Sequence, residues 1–204
     1  MTLSEFDNEI RKDYNVVCGC DEAGRGPLAG DVFAAAVIFD KDTVIEGIND
    51  SKKLTAKKRE ELFDEIMEKA VDFSIQTATV EEIEDINILN AAMLAMKRAV
   101  EDMDTKPDVC LIDGNKTPEG LECPAIAVVK GDAKSQAVAA ASILSKVARD
   151  RYMEQMAEQY PEYRFEKHKG YGTKLHYQMI DQYGPCGIHR MSFLKKYYAK
   201  KNGH

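Results

Sequence analysis

The sequence predicts an α/β fold: a mixed five-stranded sheet flanked by helices, with a small helical appendage at the C-terminus. Three observations lead there. Two apolar segments, Val16 to Asp21 and Asp31 to Phe39, are joined by a glycine-rich loop too short for a helical crossover, so they pair as antiparallel strands. Further on, PDVCLI (107 to 112) is a continuous apolar run, the pattern of a strand buried on both faces. Around it lie long segments with apolar residues at helical spacing, which cover the faces of such a sheet.

Taken in order, residues 3 to 12 predict a short helix, Val16 to Asp21 the first strand and Asp31 to Phe39 the second. Thr55 is the N-cap of a helix whose Leu62, Phe63, Ile66 and Met67 form a buried stripe ending near Ala70. Phe73 to Val80 alternates as the third strand. Glu81 to Ile86 reads as a short acidic helix or turn, followed by a helix from Ile88 to Met103 whose Leu89, Met93, Leu94, Met96 and Val100 face the core. After PDVCLI, the fourth strand, Ala125 to Val129 is the fifth. Ser135 to Gln159 is helical throughout, and its Ala-rich start lacks a polar face, as close packing on a sheet requires. Tyr160 and Pro161 mark the one boundary, dividing a domain of residues 1–160 from a basic, aromatic-rich helical segment, 161–204.

At 204 residues with 44% hydrophobic content, the chain has the size of one domain with a real core. No apolar run approaches the ~20 residues of a membrane span, and MTLSEFDNEIRKDY has no signal-peptide core. The expectation is a cytoplasmic protein without membrane attachment, monomeric by default. The five cysteines are odd in number and contain no C-x-x-C pair; Cys18, Cys20 and Cys110 fall in predicted strands as small buried apolar residues. The net charge of −7 argues against a nucleic-acid partner until its distribution is considered. Residues 161–204 carry 9 Lys/Arg against 3 Asp/Glu, a local +6 that leaves −13 for the rest. That segment also holds all four histidines and six of the nine tyrosines. Interleaved basic and aromatic residues suit a phosphate backbone with exposed sugar faces, and they equally suit a solvated tail on an acidic domain.

The chemistry concentrates at strand ends. Asp21 and Glu22 sit side by side where the first strand should stop, and adjacent carboxylates there imply either solvent or a cation between them. Asp113 follows PDVCLI in the same way, and Asp132 follows the fifth strand. If the first and fourth strands are parallel neighbours, Asp21 and Asp113 emerge at one sheet edge, where open α/β sheets place their sites. Four carboxylates without His or Cys make an all-oxygen site for Mg²⁺ or Mn²⁺. Each acid also has a plainer reading: Asp113-Gly114 as a turn, Asp132 as a helix cap, Asp21-Glu22 as an exposed turn. Asp150 lies mid-helix among Arg149 and Arg151 and reads as a structural acid, ion-paired to neighbours on a solvated helix face. Gly24-Arg25-Gly26 combines bare backbone with a guanidinium suited to phosphate. No P-loop, G-x-S-x-G or H-E-x-x-H occurs.

The string DEAGRGPLAG (21 to 30) resembles the N-terminal signature of the ribonuclease HII family. Similar blocks recur in the family's order at LIDGN, KGDAKSQAVAAASILSKVARD, HKGYGT and HRMSF, covering nearly the whole chain. The resemblance implies a ribonuclease H-like sheet and a metal-dependent endoribonuclease. Such an enzyme cuts the RNA strand of RNA/DNA hybrids and nicks 5′ to single ribonucleotides in duplex DNA, leaving 5′-phosphate and 3′-hydroxyl ends. It implies two divalent cations, Mg²⁺ or Mn²⁺, with Asp21, Glu22 and Asp113 as ligands and Asp132 as the fourth active-site acid. The loop Gly24, Arg25, Gly26 is assigned to the ribonucleotide, and Tyr171 to stacking on the adjacent deoxyribose. Lys52, Lys53, Lys146, Lys167 and Lys169 are candidate phosphate contacts. Met191, Leu194, Tyr197 and Tyr198 resemble a sliding-clamp-binding peptide, with Met where Gln is usual. Two other readings stay open: a DNA junction resolvase of the same fold, and a non-catalytic hybrid-binding protein.

Overall fold

The computed structural model describes residues 1–49, 51 and 54–202. Lys52 and Lys53, among the candidate phosphate contacts, lie outside the described residues. The sheet has five strands, β1 (Val17–Ala23), β2 (Val32–Ile38), β3 (Asp72–Ala78), β4 (Val109–Asp113) and β5 (Ala125–Val128), in the order β3-β2-β1-β4-β5. The first three pair antiparallel, β1 and β2 across the short loop, while β1–β4 and β4–β5 are parallel; the connection from β4 to β5, residues 114–124, contains no helix. The helices are α1 (Leu3–Ile10), α2 (Ala56–Lys69), α3 (Val80–Glu101), α4 (Gln136–Gln159), α5 (Phe165–His168), α6 (Lys174–Tyr183) and α7 (Met191–Asn202).

Side chains alternate across the pleat, so β1 sends Cys18 and Cys20 to one face and Val17 and Gly19 to the other. The first face packs on α3 through Ala91, Ala92, Ala95 and Met96. On the other lies α4, and Gly19 is the point of contact: a Cβ there would lie 2.2 Å from the backbone carbon of Ala137. The alanines 137 and 139–141 of the first α4 turns keep this helix close to the strands. Its N-cap is Ser135, whose side chain accepts from the Val138 amide. Buried Asp7 of α1 accepts from Ala137 N at 2.9 Å, adding a second acceptor at the positive end of α4.

The acidic helix and the one after it, expected as separate pieces, follow one another within α3 and are divided at Asn87, whose backbone is not helical (φ 67°). Asn87 Oδ1 accepts from the amides of Leu89 and Asn90, recapping the second half. β1 runs to Ala23, two residues beyond the expected end, because β2 keeps pairing with it through Asp21↔Ala35, Glu22↔Ala34 and Ala23↔Phe33. The parallel pairing with β4 stops at Cys20↔Ile112. Asp21 and Glu22 therefore lie within the strand, where it outruns one of its two neighbours.

The C-terminal segment returns to this edge. The Leu28 amide donates to Gly170 O and the Arg190 amide to Leu28 O, each at 2.8 Å, and Ala29 bridges His189. Five of its aromatic and histidine side chains are interior, while Tyr171 and Tyr183 keep the exposure their interleaving suggested. Tyr163, His168, His176 and His189 are all buried and stack on one another and on Phe165. Among the described residues no helix is long and apolar enough to cross a membrane.

Candidate active site

In register with Cys20↔Ile112, the next positions of β1 and β4 are Asp21 and Asp113, so these two carboxylates are neighbours on the α4 face. Glu22 leaves on the α3 face, where Arg25 Nη1 donates to its Oε1 at 3.0 Å. All three acids line one cleft of about 540 Å³ at the end of the sheet. Gly24, Arg25, Gly26, Lys146 and Tyr171 line it too, joined by Ser51, Ser142, Ile88 and Phe193. Asp132 is not among these lining residues and lies in a short 3-10 turn, Gly131–Ala133, that precedes the α4 cap. That turn is tied to the acids by the Gly131 amide, which donates to Asp113 Oδ1 at 2.7 Å.

The electrostatics are those of crowded carboxylates. Burial pushes the Asp21 carboxyl well above the usual range, and the charges of Glu22 and Asp113 push it further. The nearby Ser142 hydroxyl and the Glu22 amide, which donates to Asp21 Oδ1 at 2.7 Å, offset part of this. Glu22 is likewise raised by burial, with Arg25 pulling the other way. Oxygen donors alone, crowded and desolvated, fit a hard divalent cation, whose charge would relieve the repulsion. Among the described residues no three His, Cys, Asp or Glu side chains converge as a ready-made cage. The strand's alternation explains this: it turns Glu22 to the opposite face from Asp21 and Asp113, and Arg25 engages it there.

The other wall consists of two loops. Gly24 (φ 106°) turns the chain after β1, and Gly170 (φ 82°) turns it before Tyr171. A Cβ on Gly170 would lie 2.6 Å from Ala29 O, so the loops touch through bare backbone. Across the cleft mouth, a Cβ on Gly26 would lie 3.7 Å from the Tyr171 ring. Tyr171 itself is 42% exposed, and the Lys146 ammonium stands 5.9 Å from its ring centroid. The Tyr171 amide donates to His168 O, and its carbonyl is held by His176 Nδ1 at 3.0 Å.

Several expectations change at this level. Asp150 is ion-paired along its helix as expected, with Lys146 at 2.5 Å, but both are largely buried and not on a solvated face; Arg149 is interior and Arg151 bonds Glu60 of α2. The neighbours in sequence point to different faces of α4, which is why the adjacent arginines are not its partners. Lys169 is taken by Glu154 at 2.6 Å. Leu194 is fully buried with Leu28 and Ile180, and Tyr197 donates to Asp181. Of the clamp-like motif, Met191 is the exposed member. Ser142 was missed in the sequence, although it lies four residues before Lys146 and eight before Asp150, one stripe of α4.

Comparison with known proteins agrees with this architecture. The sequence model described as Ribonuclease HII matches residues 18–196. A ribonuclease HII of Caldicellulosiruptor saccharolyticus is 54% identical over 189 residues, covering 93% of this chain and 92% of its own. The crystal structure of the ribonuclease H2 from Pyrococcus horikoshii superposes with a TM-score of 0.72 at 29% identity, over 87% of this chain and 93% of that one. The ribonuclease HII of Archaeoglobus fulgidus, solved as a PCNA:RNase HII complex, gives 0.67 at 25% identity, over 86% and 94%. With its five-stranded sheet, its acid-lined edge and a match that spans nearly the whole sequence, the chain is a nuclease and belongs to the ribonuclease HII family.

Proposed function

We propose that this nuclease hydrolyses the RNA strand of RNA/DNA hybrids and nicks on the 5′ side of single ribonucleotides embedded in duplex DNA, leaving 5′-phosphate and 3′-hydroxyl ends. The observation that carries the reading is the shared cleft: Asp21, Glu22 and Asp113 face the same space as the Gly24–Gly26 loop and Tyr171. Asp21, Glu22, Asp113 and Asp132 would hold two divalent cations, Mg²⁺ or Mn²⁺, which when bound supply a water acidic enough to attack and positive charge for the leaving oxygen.

The chain's own residues do the rest. The carbonyls of Gly24 and Pro27 are drawn inward by Arg190, while the amides of Arg25 and Gly26 have no acceptor among the described residues. The loop therefore offers N–H groups to the cleft, donors for a 2′-hydroxyl oxygen or a phosphate. Tyr171 supplies a flat face for the adjacent deoxyribose, where a 2′-hydroxyl would not fit. Lys146, fixed by Asp150, provides a cation for the backbone phosphate. Residues 161–204 contribute Tyr171 and the +6 local charge to substrate binding. All five cysteines are free thiols, which suits a reducing compartment such as the cytoplasm.

The test is cleavage of an end-labelled duplex carrying one ribonucleotide, with Mg²⁺, Mn²⁺ or EDTA, beside an Asp113→Asn variant. A metal-dependent nick 5′ to the ribonucleotide that the variant abolishes is expected. Cleavage of an all-DNA four-way junction instead would point to a resolvase, and hybrid binding without cleavage to a non-catalytic protein. The Archaeoglobus complex raises clamp binding for this chain as well. Docking through Met191, Leu194, Tyr197 and Tyr198 requires Leu194 to leave its buried site, so a 188–204 peptide should bind a clamp more tightly than the full chain.

A further inference from the structure

We infer that Arg149 and Arg190 are positioning residues for ribonucleotide recognition, two buried guanidinium forks that fix the gap between the Gly24–Gly26 loop and Tyr171. The inference rests on the reading of that loop and that tyrosine given above. Neither arginine lines the cleft, and both are essentially without solvent contact. Among the described residues neither forms a salt bridge. A buried cation without a salt-bridge partner is costly, and it persists where hydrogen bonds to carbonyls satisfy it.

Those donors go to loop carbonyls. Arg190 Nη2 donates to Gly24 O at 2.7 Å and Gly30 O at 2.6 Å, Nη1 to Pro27 O at 2.9 Å, and Nε to Gly30 O at 2.8 Å. One planar fork thus spans the loop from its first glycine to its last. Arg149 reaches across to the other wall: Nη1 donates to Lys169 O and Nη2 to Ala29 O, each at 3.0 Å, and Nε to Asp31 O at 3.2 Å. It therefore links the Gly24–Asp31 segment to the turn that carries Tyr171, whose ring centroid lies 5.9 Å from its guanidinium. The contact is tight, since a Cβ on Gly24 would sit 2.3 Å from Arg149 Nε. A lysine ammonium keeps the charge and cannot reproduce the fixed fork.

The functional consequence differs between substrates. On a uniform hybrid every register presents a 2′-hydroxyl, so a loosened loop still finds one. A single ribonucleotide offers one productive register, and there a small displacement of the loop removes the productive geometry. The experiment measures kcat and KM for a duplex with one ribonucleotide and for a uniform hybrid, in the wild type, Arg190→Lys and Arg149→Lys, with the exposed Arg151→Lys of the same helix as control. Folding is followed by circular dichroism.

The expected result is a single-site kcat/KM that falls about tenfold or more relative to the hybrid value in both fork variants, carried mainly by kcat. The control should keep the wild-type ratio. Should Arg190→Lys not fold, Arg149→Lys carries the same comparison. Equal losses on both substrates, an unchanged ratio, or failure of both variants to fold would overturn the inference. A wild type that leaves the single ribonucleotide uncut would instead overturn the recognition reading, and the inference with it.

Discussion

The two walls of the cleft are built on different principles. The acid wall is placed by strand register: the pairing with β4 ends at Cys20, that with β2 continues beside Asp21 and Glu22, and the ladder with β2 fixes both carboxylates. The recognition wall consists of loops with no ladder of their own, held by side-chain forks on backbone carbonyls and by a histidine network below Tyr171. A wall set by register is broken only by disrupting the sheet, whereas a wall set by forks and neutral imidazoles responds to single side chains and to pH.

The difference can be tested from the largest effect downward. Asp113→Asn removes a charge without altering the ladder, so activity should fall on the order of a thousandfold while Tm barely changes, as several kcal/mol of charge stabilisation are lost. Gly19→Ala does the converse. Its methyl group would collide with the α4 backbone, and a destabilisation of about 3 kcal/mol should appear as a lower urea midpoint.

The histidine network gives the recognition wall a pH dependence. Burial holds His176 and His189 down at about 4, and their Nε2 atoms lie 3.0 Å apart, a geometry that needs one shared proton and neutral rings. Because the folded pKa is below the unfolded value of about 6.5, the stabilisation is complete above that pH. It is lost as pH falls from 6.5 toward 4, by about 1.4 kcal/mol per unit for each ring as an upper bound. Thermal melts from pH 7.5 to 4.5 should show the decline, and His176→Gln should flatten it. Tyr171→Ala is the smallest change, since stacking is worth roughly 1–3 kcal/mol. About tenfold weaker cleavage at single ribonucleotides with intact hybrid cleavage is expected, and equal loss on both would assign Tyr171 to general substrate binding.

Much of the fold was legible because the features that encode it are local. Period-2 and period-3.6 patterns gave the strands and helices, the short glycine-rich loop required β1 and β2 to be antiparallel, and Thr55 capped α2 as its position implied. The acids were visible as charges breaking apolar runs at strand ends. The same logic read Asp150 as ion-paired along its helix, and it is, with Lys146 one turn back, though away from the solvated face expected; it left His168, His176 and His189 at the surface, and packing placed them inside.

By itself, then, the sequence determined the elements, the antiparallel pairing of β1 with β2 and the place of Asp21 and Asp113 at strand ends, because each follows from spacing along a short stretch of chain; the parallel pairing of β1 with β4 that brings the two acids together was settled by the sheet. Only the tertiary structure decided how far β1 outruns β4, which face Glu22 takes, and where the donors of Arg149 and Arg190 go. Arg190 meets Gly24 across 166 residues and Arg149 meets Ala29 across 120. A long polar side chain finds its partner wherever the packed core leaves unsatisfied carbonyls, and no local pattern specifies where that will be.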